Sequence, residues 1–161
     1  MPEMKFVWRD YGPADAVLID SWLTPETCAM TGLDQGWNAY WNAVLADAVK
    51  YPGCIDCCKM ICISGTPIAV ISYGCYLGTA VISEMIVSPH FRGKGYGAEI
   101  IRELLKLYPV LLARDVKKFT AVIFPDNLPS KRAFAKAGFS AEYISEGAET
   151  WAYYLTGAPC D

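Results

Sequence analysis

The sequence predicts a single α+β domain, built on a mixed, mostly antiparallel sheet of about seven strands with helices on both faces. Three observations carry that expectation. An uncharged run rich in β-branched and aromatic residues extends from Met60 to Ser83 and is cut at turn-like intervals. Amphipathic segments at helical spacing stand before and after it. A strand-like stretch then ends in a glycine-rich loop that opens one of those helices.

The elements follow in order. Lys5-Phe6-Val7-Trp8-Arg9 alternates in character and reads as a first strand, broken by Tyr11-Gly12-Pro13. Ala14 to Trp22 has a helical pattern, Thr24-Pro25-Glu26 restarts the chain, and Gly32 to Gly36 is a loop. Trp37 to Val49 forms a second helix, with Tyr40, Trp41, Val44, Leu45 and Val49 at helical spacing. Pro52-Gly53 ends it. Three strands come next, at about Ile55 to Ile63, Pro67 to Tyr76 and Thr79 to Val87. The tight connections Ser64-Gly65-Thr66 and Leu77-Gly78 make them an antiparallel meander. The loop from Arg92 to Gly97 opens a helix to about Leu107; Ile100, Ile101, Leu104, Leu105 and Tyr108 share one face and Glu99, Arg102, Glu103 and Lys106 the other. Phe119 to Phe124 is a strand, and Pro129 to Ala137 a helix closed by Gly138. Ser140 to Ser145 and Thr150 to Leu155 form a last strand pair. No repeat, linker or low-complexity segment divides residues 1–161.

Composition removes several classes of function. Apolar residues make up 53% and charged residues 19%, which supports a packed core rather than disorder. A net charge of −3 leaves no basic footprint, so no nucleic-acid partner is expected. The one histidine, His90, excludes a His-rich zinc site. The Met60–Ser83 run is long enough to suggest a membrane span, but Ser64-Gly65-Thr66-Pro67, Gly74 and Gly78 punctuate it as strands, so no membrane partner is expected. Met1-Pro2-Glu3-Met4-Lys5 lacks the apolar core of a secretory signal, and a cytoplasmic location is the expectation. Seven cysteines (Cys28, Cys54, Cys57, Cys58, Cys62, Cys75 and Cys160) are an odd number and read as reduced thiols. Cys54-x-x-Cys57-Cys58 lacks the second ligand pair of a structural zinc site and runs into a strand rather than a helix. It reads as small buried hydrophobes.

The chemistry concentrates in Val87-Ser88-Pro89-His90-Phe91-Arg92-Gly93-Lys94-Gly95-Tyr96-Gly97. Alternate glycines let backbone N–H groups converge and let a ligand approach with no Cβ in the way. The helix start adds unpaired N–H groups and a partial positive charge, and Arg92 and Lys94 add more. Such a loop suits a phosphate or diphosphate. A P-loop is excluded, since no Gly-Lys-Ser or Gly-Lys-Thr ends it. Gly93-x-Gly95-x-x-Ala98 meets the dinucleotide pattern superficially, but that motif expects a parallel βαβ unit and an acidic residue at the end of the next strand. Here the preceding strand belongs to an antiparallel meander, and Asp115 falls before the next strand.

Arg92-Gly93-Lys94-Gly95-Tyr96-Gly97, approached through Val87-Ser88-Pro89, resembles the acetyl-CoA motif of the GNAT superfamily of N-acetyltransferases. Asn127-Leu128-Pro129-Ser130 with Gly138-Phe139 resembles a second motif of that family, and the element order agrees over nearly the whole chain. The resemblance implies a single N-acetyltransferase domain over residues 1–161 with acetyl-CoA as co-substrate. It implies that the diphosphate lies on the amides of Arg92, Gly93, Lys94, Gly95, Tyr96 and Gly97. The pantetheine arm would pair with the backbone at Ile86 and Val87, where two strands splay, and Asn127 and Ser130 would face it from the other side. A small-molecule or peptide amine would attack the thioester from a pocket formed by the first helices and strand ends.

Glu84 is the candidate base, as the acidic residue on the strand leading to the loop; burial would raise its pKa toward a useful range. The family often places a tyrosine, as acid for the departing thiolate, where this chain has Phe134, which has no proton to give. Tyr73, Tyr96 and Tyr143 are candidates for that role, or the thiolate leaves unassisted. Phe134 also keeps open a non-catalytic acyl-CoA-binding or sensor domain of the same fold. His90 reads as a surface residue, and Ser83 and Ser88 lack triad partners. Trp22, Trp37, Tyr40 and Trp41 read as core rather than as an acceptor pocket. Exposed edges in the last strand pair could mediate a homodimer.

Overall fold

The uncharged run becomes the middle of a seven-stranded sheet. The computed structural model describes residues 5–31 and 33–155. The Met1–Met4 leader, Gly32 and Cys160, on which readings above partly fall, lie outside the described residues. The strands are β1 (Val7–Asp10), β2 (Ile55–Ile63), β3 (Thr66–Tyr76), β4 (Thr79–Val87), β5 (Lys118–Ile123), β6 (Ser140–Ile144) and β7 (Glu149–Tyr154). They lie in the order β1-β2-β3-β4-β5-β7-β6, antiparallel except for β4 against β5. The two meander turns are tight because Ser64 and Gly65 (φ 49° and 80°) and Leu77 and Gly78 (φ 52° and 80°) all take left-handed backbone. Two-residue turns of that hand match the twist of the strands they join.

The α-helices are α1 (Ala16–Ser21), α2 (Pro25–Thr31), α3 (Trp37–Ala48), α4 (Tyr96–Leu111) and α5 (Leu128–Lys136). Strand alternation sends Ile61, Ile71, Tyr73, Ala80, Ile82 and Phe119 to one face, where Ile100, Ile101 and Leu104 of α4 and Phe134 of α5 cover them. Met60, Val70 and Ile86 go to the other face, under Ile19 of α1 and Trp37 of α3. Each fully buried aliphatic side chain contributes about 2 kcal/mol by leaving water.

The structure corrects four readings. A third helix precedes β2: Pro25 opens α2 rather than only breaking the chain, with the Thr24 hydroxyl accepting the Thr27 N–H at 3.1 Å. The helix of the glycine loop passes Leu107 and Pro109 and ends at Leu111. Leu45 and Val49, at helical spacing with Tyr40 and Trp41, are 44% and 83% exposed, because only the first turns of α3 meet the sheet. Finally, β4-α4-β5 is itself a parallel βαβ unit, which the meander had argued against. Asp115 still precedes β5, so the acidic residue of a dinucleotide site is not at the strand end.

Candidate active site

Two departures from regular pairing in β4 create the site. The first is its partnership with β5, which extends only over Thr79–Ile82 against Lys118–Ala121. Beyond Ile82, β4 remains paired to β3 through Val87 but, among the described residues, has no strand on its other side. A gap lined by unpaired backbone results. The second departure is a bulge. Ser72 stands opposite Glu84 and Tyr73 opposite Ile82, so Ser83 is an extra residue in β4. A bulge reverses the facing of everything after it. Ile82 accordingly packs under α4, whereas Ile86, an even number of residues on, packs under α1 and α3. Glu84 is carried with Ile86 to the α3 side.

Glu84 is half-buried there, and burial pushes its carboxyl up to about 8. Its neighbour Tyr40, from α3, brings its hydroxyl to 2.7 Å from the Ser72 hydroxyl. Burial also drives the Tyr40 phenol well above its ordinary value, so it stays protonated, with Ser83 and Glu84 among its polar neighbours. The sequence reading assigned Tyr40 to the core. Its ring does pack on Trp37, with centroids 4.9 Å apart, but its hydroxyl belongs to the site. Trp22 and Trp37 are core residues.

The glycine loop lies just past the end of β4. Gly93 and Gly95 take φ 75° and 83°, and a Cβ at either would meet nothing within 4 Å. They are glycines for backbone conformation and open approach. Among the described residues, no protein acceptor takes the N–H groups of Gly93 to Ala98; the first closed bond of the turn is Glu99 N–H to the Gly95 carbonyl at 3.2 Å. The amides at this helix start thus keep hydrogen-bonding capacity for a ligand. Gly97 serves differently: a Cβ there would lie 3.3 Å from Met85 Cε and 3.5 Å from Ala133 Cβ, so it lets α4 approach β4 and α5 closely.

Arg92 has another task than adding charge. Its Nε donates to the Val87 carbonyl at 2.8 Å and its guanidinium NH2 to the Trp22 carbonyl at 2.9 Å, while its own amide reaches the Pro89 carbonyl at 3.4 Å. It ties the end of α1 to the end of β4. Lys94 is exposed and holds its ammonium 5.6 Å above the Phe91 ring. His90 is exposed.

Across the gap, Asn127 caps α5, its carboxamide oxygen accepting the Ser130 N–H at 3.3 Å. Lys131 of the same turn pairs with Glu149 of β7, which also accepts from the Trp151 indole N–H at 3.2 Å. Phe134 is 5% exposed and packs edge-on against Phe139, 5.0 Å between centroids. Of the tyrosines considered for its role, Tyr73 is buried on the α4 side, donating to the Leu111 carbonyl at 3.3 Å. Tyr96 packs between Phe6 and Phe91, and Tyr143 is exposed on β6. Neither motif nor periodicity marks Tyr40; only the register that brings Ser72 opposite Glu84 does.

An open cleft of about 520 Å³ lies beyond the end of β5, lined by Ala29, Phe124, Pro125, Asp126, Glu146 and Gly147. Cys58, Cys62 and Cys75 are buried free thiols, and Cys28, Cys54 and Cys57 are half-buried ones. Among the described residues, no group of three or more His, Cys, Asp or Glu could hold a metal ion, and no helix is long and apolar enough to cross a membrane.

A sheet splayed at a bulged strand, followed by a helix whose first amides are free, defines an acyltransferase-type fold. The family model described as the acetyltransferase (GNAT) family matches residues 17–139, and the chain belongs to that family. No curated protein matches the sequence. Solved structures share the fold at low identity. The aminoglycoside acetyltransferase AAC(6')-Ib, solved with coenzyme A, is similar at a TM-score of 0.72 and 20% identity, over 92% of this chain and 94% of that one. Spermidine N-acetyltransferase from Vibrio cholerae, solved with CoA and spermine, is similar at 0.68 and 13%, over 93% and 95%. The Campylobacter jejuni N-acetyltransferase PseH is similar at 0.67 and 12%, over 95% and 100%.

Proposed function

We propose that residues 1–161 act as one domain that transfers an acetyl group from acetyl-CoA to a primary amine, by direct attack in a ternary complex. What supports this reading is the run of amides after β4 with no well-formed bond to protein, together with Glu84 on the same strand, whose carboxyl is raised by burial to about 8. The diphosphate would lie on the amides of Gly93, Lys94, Gly95, Tyr96 and Gly97, the first two open-sided by their glycine neighbours. The pantetheine arm would run along β4 at Ile86 and Val87, with the free carboxamide N–H groups of Asn127 and the Ser130 hydroxyl opposite. Arg92 would support the arrangement from behind.

The amine nitrogen then attacks the thioester carbonyl carbon and the C–S bond breaks. Glu84 accepts the proton the nitrogen must lose, which a carboxyl near 8 is poised to do. Phe134 offers no proton to sulfur, but a thiol ionises near pH 8.5, so sulfur can leave as thiolate. Holding both reactants in one gap supplies the rest through proximity. Asp126 and Glu146 on the cleft walls favour a cationic small-molecule amine as acceptor. The reduced thiols suit a cytoplasmic setting, and β6, exposed along its length, offers an edge through which a homodimer would form.

The test is thiol release from acetyl-CoA with a panel of spermidine, kanamycin, a simple diamine and a lysine-containing peptide. Saturable release with at least one amine is expected, lost in Glu84→Gln. Binding of CoA without release on every member would establish the sensor reading instead. A rise in melting temperature with NAD(H) and none with CoA would overturn both.

A further inference from the structure

Tyr40 and Ser72 form a hydroxyl pair with a proton to spare. Their oxygens are 2.7 Å apart, and that contact uses one O–H as donor whichever way it runs. The Ser83 hydroxyl also bonds Tyr40, and with Ser83 donating to the phenol oxygen the second O–H of the pair remains available. Ser72 stands directly opposite Glu84 in the β3–β4 ladder, where facing side chains have Cβ atoms about 5 Å apart. The pair is rigidly held. Ser72 is 1% exposed, the Tyr40 ring packs on Trp37, and the Trp37 N–H that starts α3 is bound by the Asp20 carboxylate at 2.9 Å. Such anchoring gives a hydroxyl pair a fixed aim.

We propose that the Tyr40–Ser72 pair is a positioning element for Glu84, turning its spare O–H toward the carboxylate, favouring its ionised form and aiming it at the gap. The inference rests on the acetyl-transfer reading above. A hydrogen bond given to the charged form opposes the effect of burial. When the amine proton arrives, the Glu84 carboxyl becomes a donor and a lone pair of the same hydroxyl pair accepts it, so neither protonation state leaves a group orphaned. The other titratable or charged groups on this side are few. Cys58 of β2 is held near 12 by burial and stays neutral. Asp20 of α1 is bound to α3, and Arg92 of the loop is bound to the Trp22 and Val87 carbonyls. Tyr40, Ser72 and the Ser83 hydroxyl bonded to Tyr40 are thus the polar groups on this side, and of these Ser72 stands directly opposite Glu84.

Infrared titration of the Glu84 carboxyl, assigned by its loss in Glu84→Gln, tests this in Tyr40→Phe and Ser72→Ala. The midpoint is expected to rise by about one pH unit in each, a tenfold loss of the ionised form at neutral pH. The double variant should shift no further than either single one, because both remove the same donor. With an amine the panel identifies, the rate at pH 7 should fall about tenfold in each variant, with the KM for acetyl-CoA unchanged. Should Tyr40→Phe fail to fold, Ser72→Ala still decides, since it leaves the aromatic packing intact. Unmoved midpoints in the folded variants would overturn the proposal. If no amine is acetylated yet the midpoint still moves, the coupling stands and only the transferase reading falls.

Discussion

Replacing Gly95 with alanine separates what the loop does for the fold from what it does for a ligand. Gly95 sits at φ 83°, and its added Cβ would meet nothing within 4 Å. The stability cost is therefore backbone strain alone, about 1–2 kcal/mol for a side chain in left-handed backbone. In a chain of this length that lowers the melting temperature by roughly 2–6 °C. The open space the methyl enters is, on the proposed reading, where the diphosphate lies. Losing even one charge-assisted hydrogen bond there costs about 1.5–3 kcal/mol, so CoA affinity should fall roughly 10- to 100-fold. Gly97→Ala is the control. Its Cβ meets a flexible methionine end at 3.3 Å, so the fold yields a little and the amides keep their aim. Calorimetric titration with CoA, beside thermal melts, reads both quantities. Unaltered CoA affinity in Gly95→Ala, or an equal loss in Gly97→Ala, would refute a loop that grips phosphate through its main chain.

Three further outcomes are expected. Glu84 is held near 8 against about 4.3 in an unfolded chain, so the native state binds the extra proton between those values and stability falls as pH rises through that window. Glu84→Gln removes the penalty: thermal melts should show it equal to the parent near pH 4 and more stable by roughly 3 kcal/mol at pH 9, while wild-type transfer rises with pH through about 8. Arg92→Lys keeps one of two carbonyl contacts and loses the fork that reaches both Trp22 and Val87, costing about 1–2 kcal/mol in urea unfolding. A variant as stable as the parent would mean the guanidinium is free for a ligand after all. Asn127→Ala removes the cap of α5 at a cost of about 1 kcal/mol, seen as faster amide exchange in the first turn of that helix.

Much of the architecture is legible in the residues, for physical reasons that also mark where legibility stops. Turn glycines and β-branched runs announce β2, β3 and β4 because a strand's pattern is local. The loop is legible because glycines at alternate positions have few other uses. Pro25 misleads, since proline both breaks and begins helices, and the Thr24 cap decides which. Tyr40 misleads for a deeper reason. At helical spacing with Trp37 and Trp41 it is a core residue, and its ring behaves as one; the hydroxyl acquires meaning only from Ser72, which is far from it in sequence. Likewise Arg92 looks like loop charge until its carbonyl partners, one of them on α1, are seen.

The site itself follows from a miscount of one residue. Without the bulge at Ser83, regular alternation along the same chain would send Glu84 to the same face as Ile82, into the apolar layer beneath α4, where an ionised carboxylate would face Ile100, Ile101 and Leu104. With it, Glu84 turns toward Tyr40 and Ser72, and the backbone beyond faces a gap because β5 pairs with β4 over only four residues. Bulge and splay are coupled, since a strand that bends at Ser83 leaves its neighbour at that same level. Deleting Ser83 should therefore remove the bulge without turning anything over, since Tyr73 already stands opposite Ile82 and Ser72 opposite Glu84, and Ile86 keeps its place under α1 and α3. The chain with this deletion is expected to keep cooperative thermal unfolding and a Glu84 carboxyl raised well above the ordinary glutamate value, because its register against β3 is unchanged. A Glu84 midpoint that falls to the ordinary carboxylate range in the deleted chain would mean that the bulge itself, and not the register against β3, orients the carboxylate.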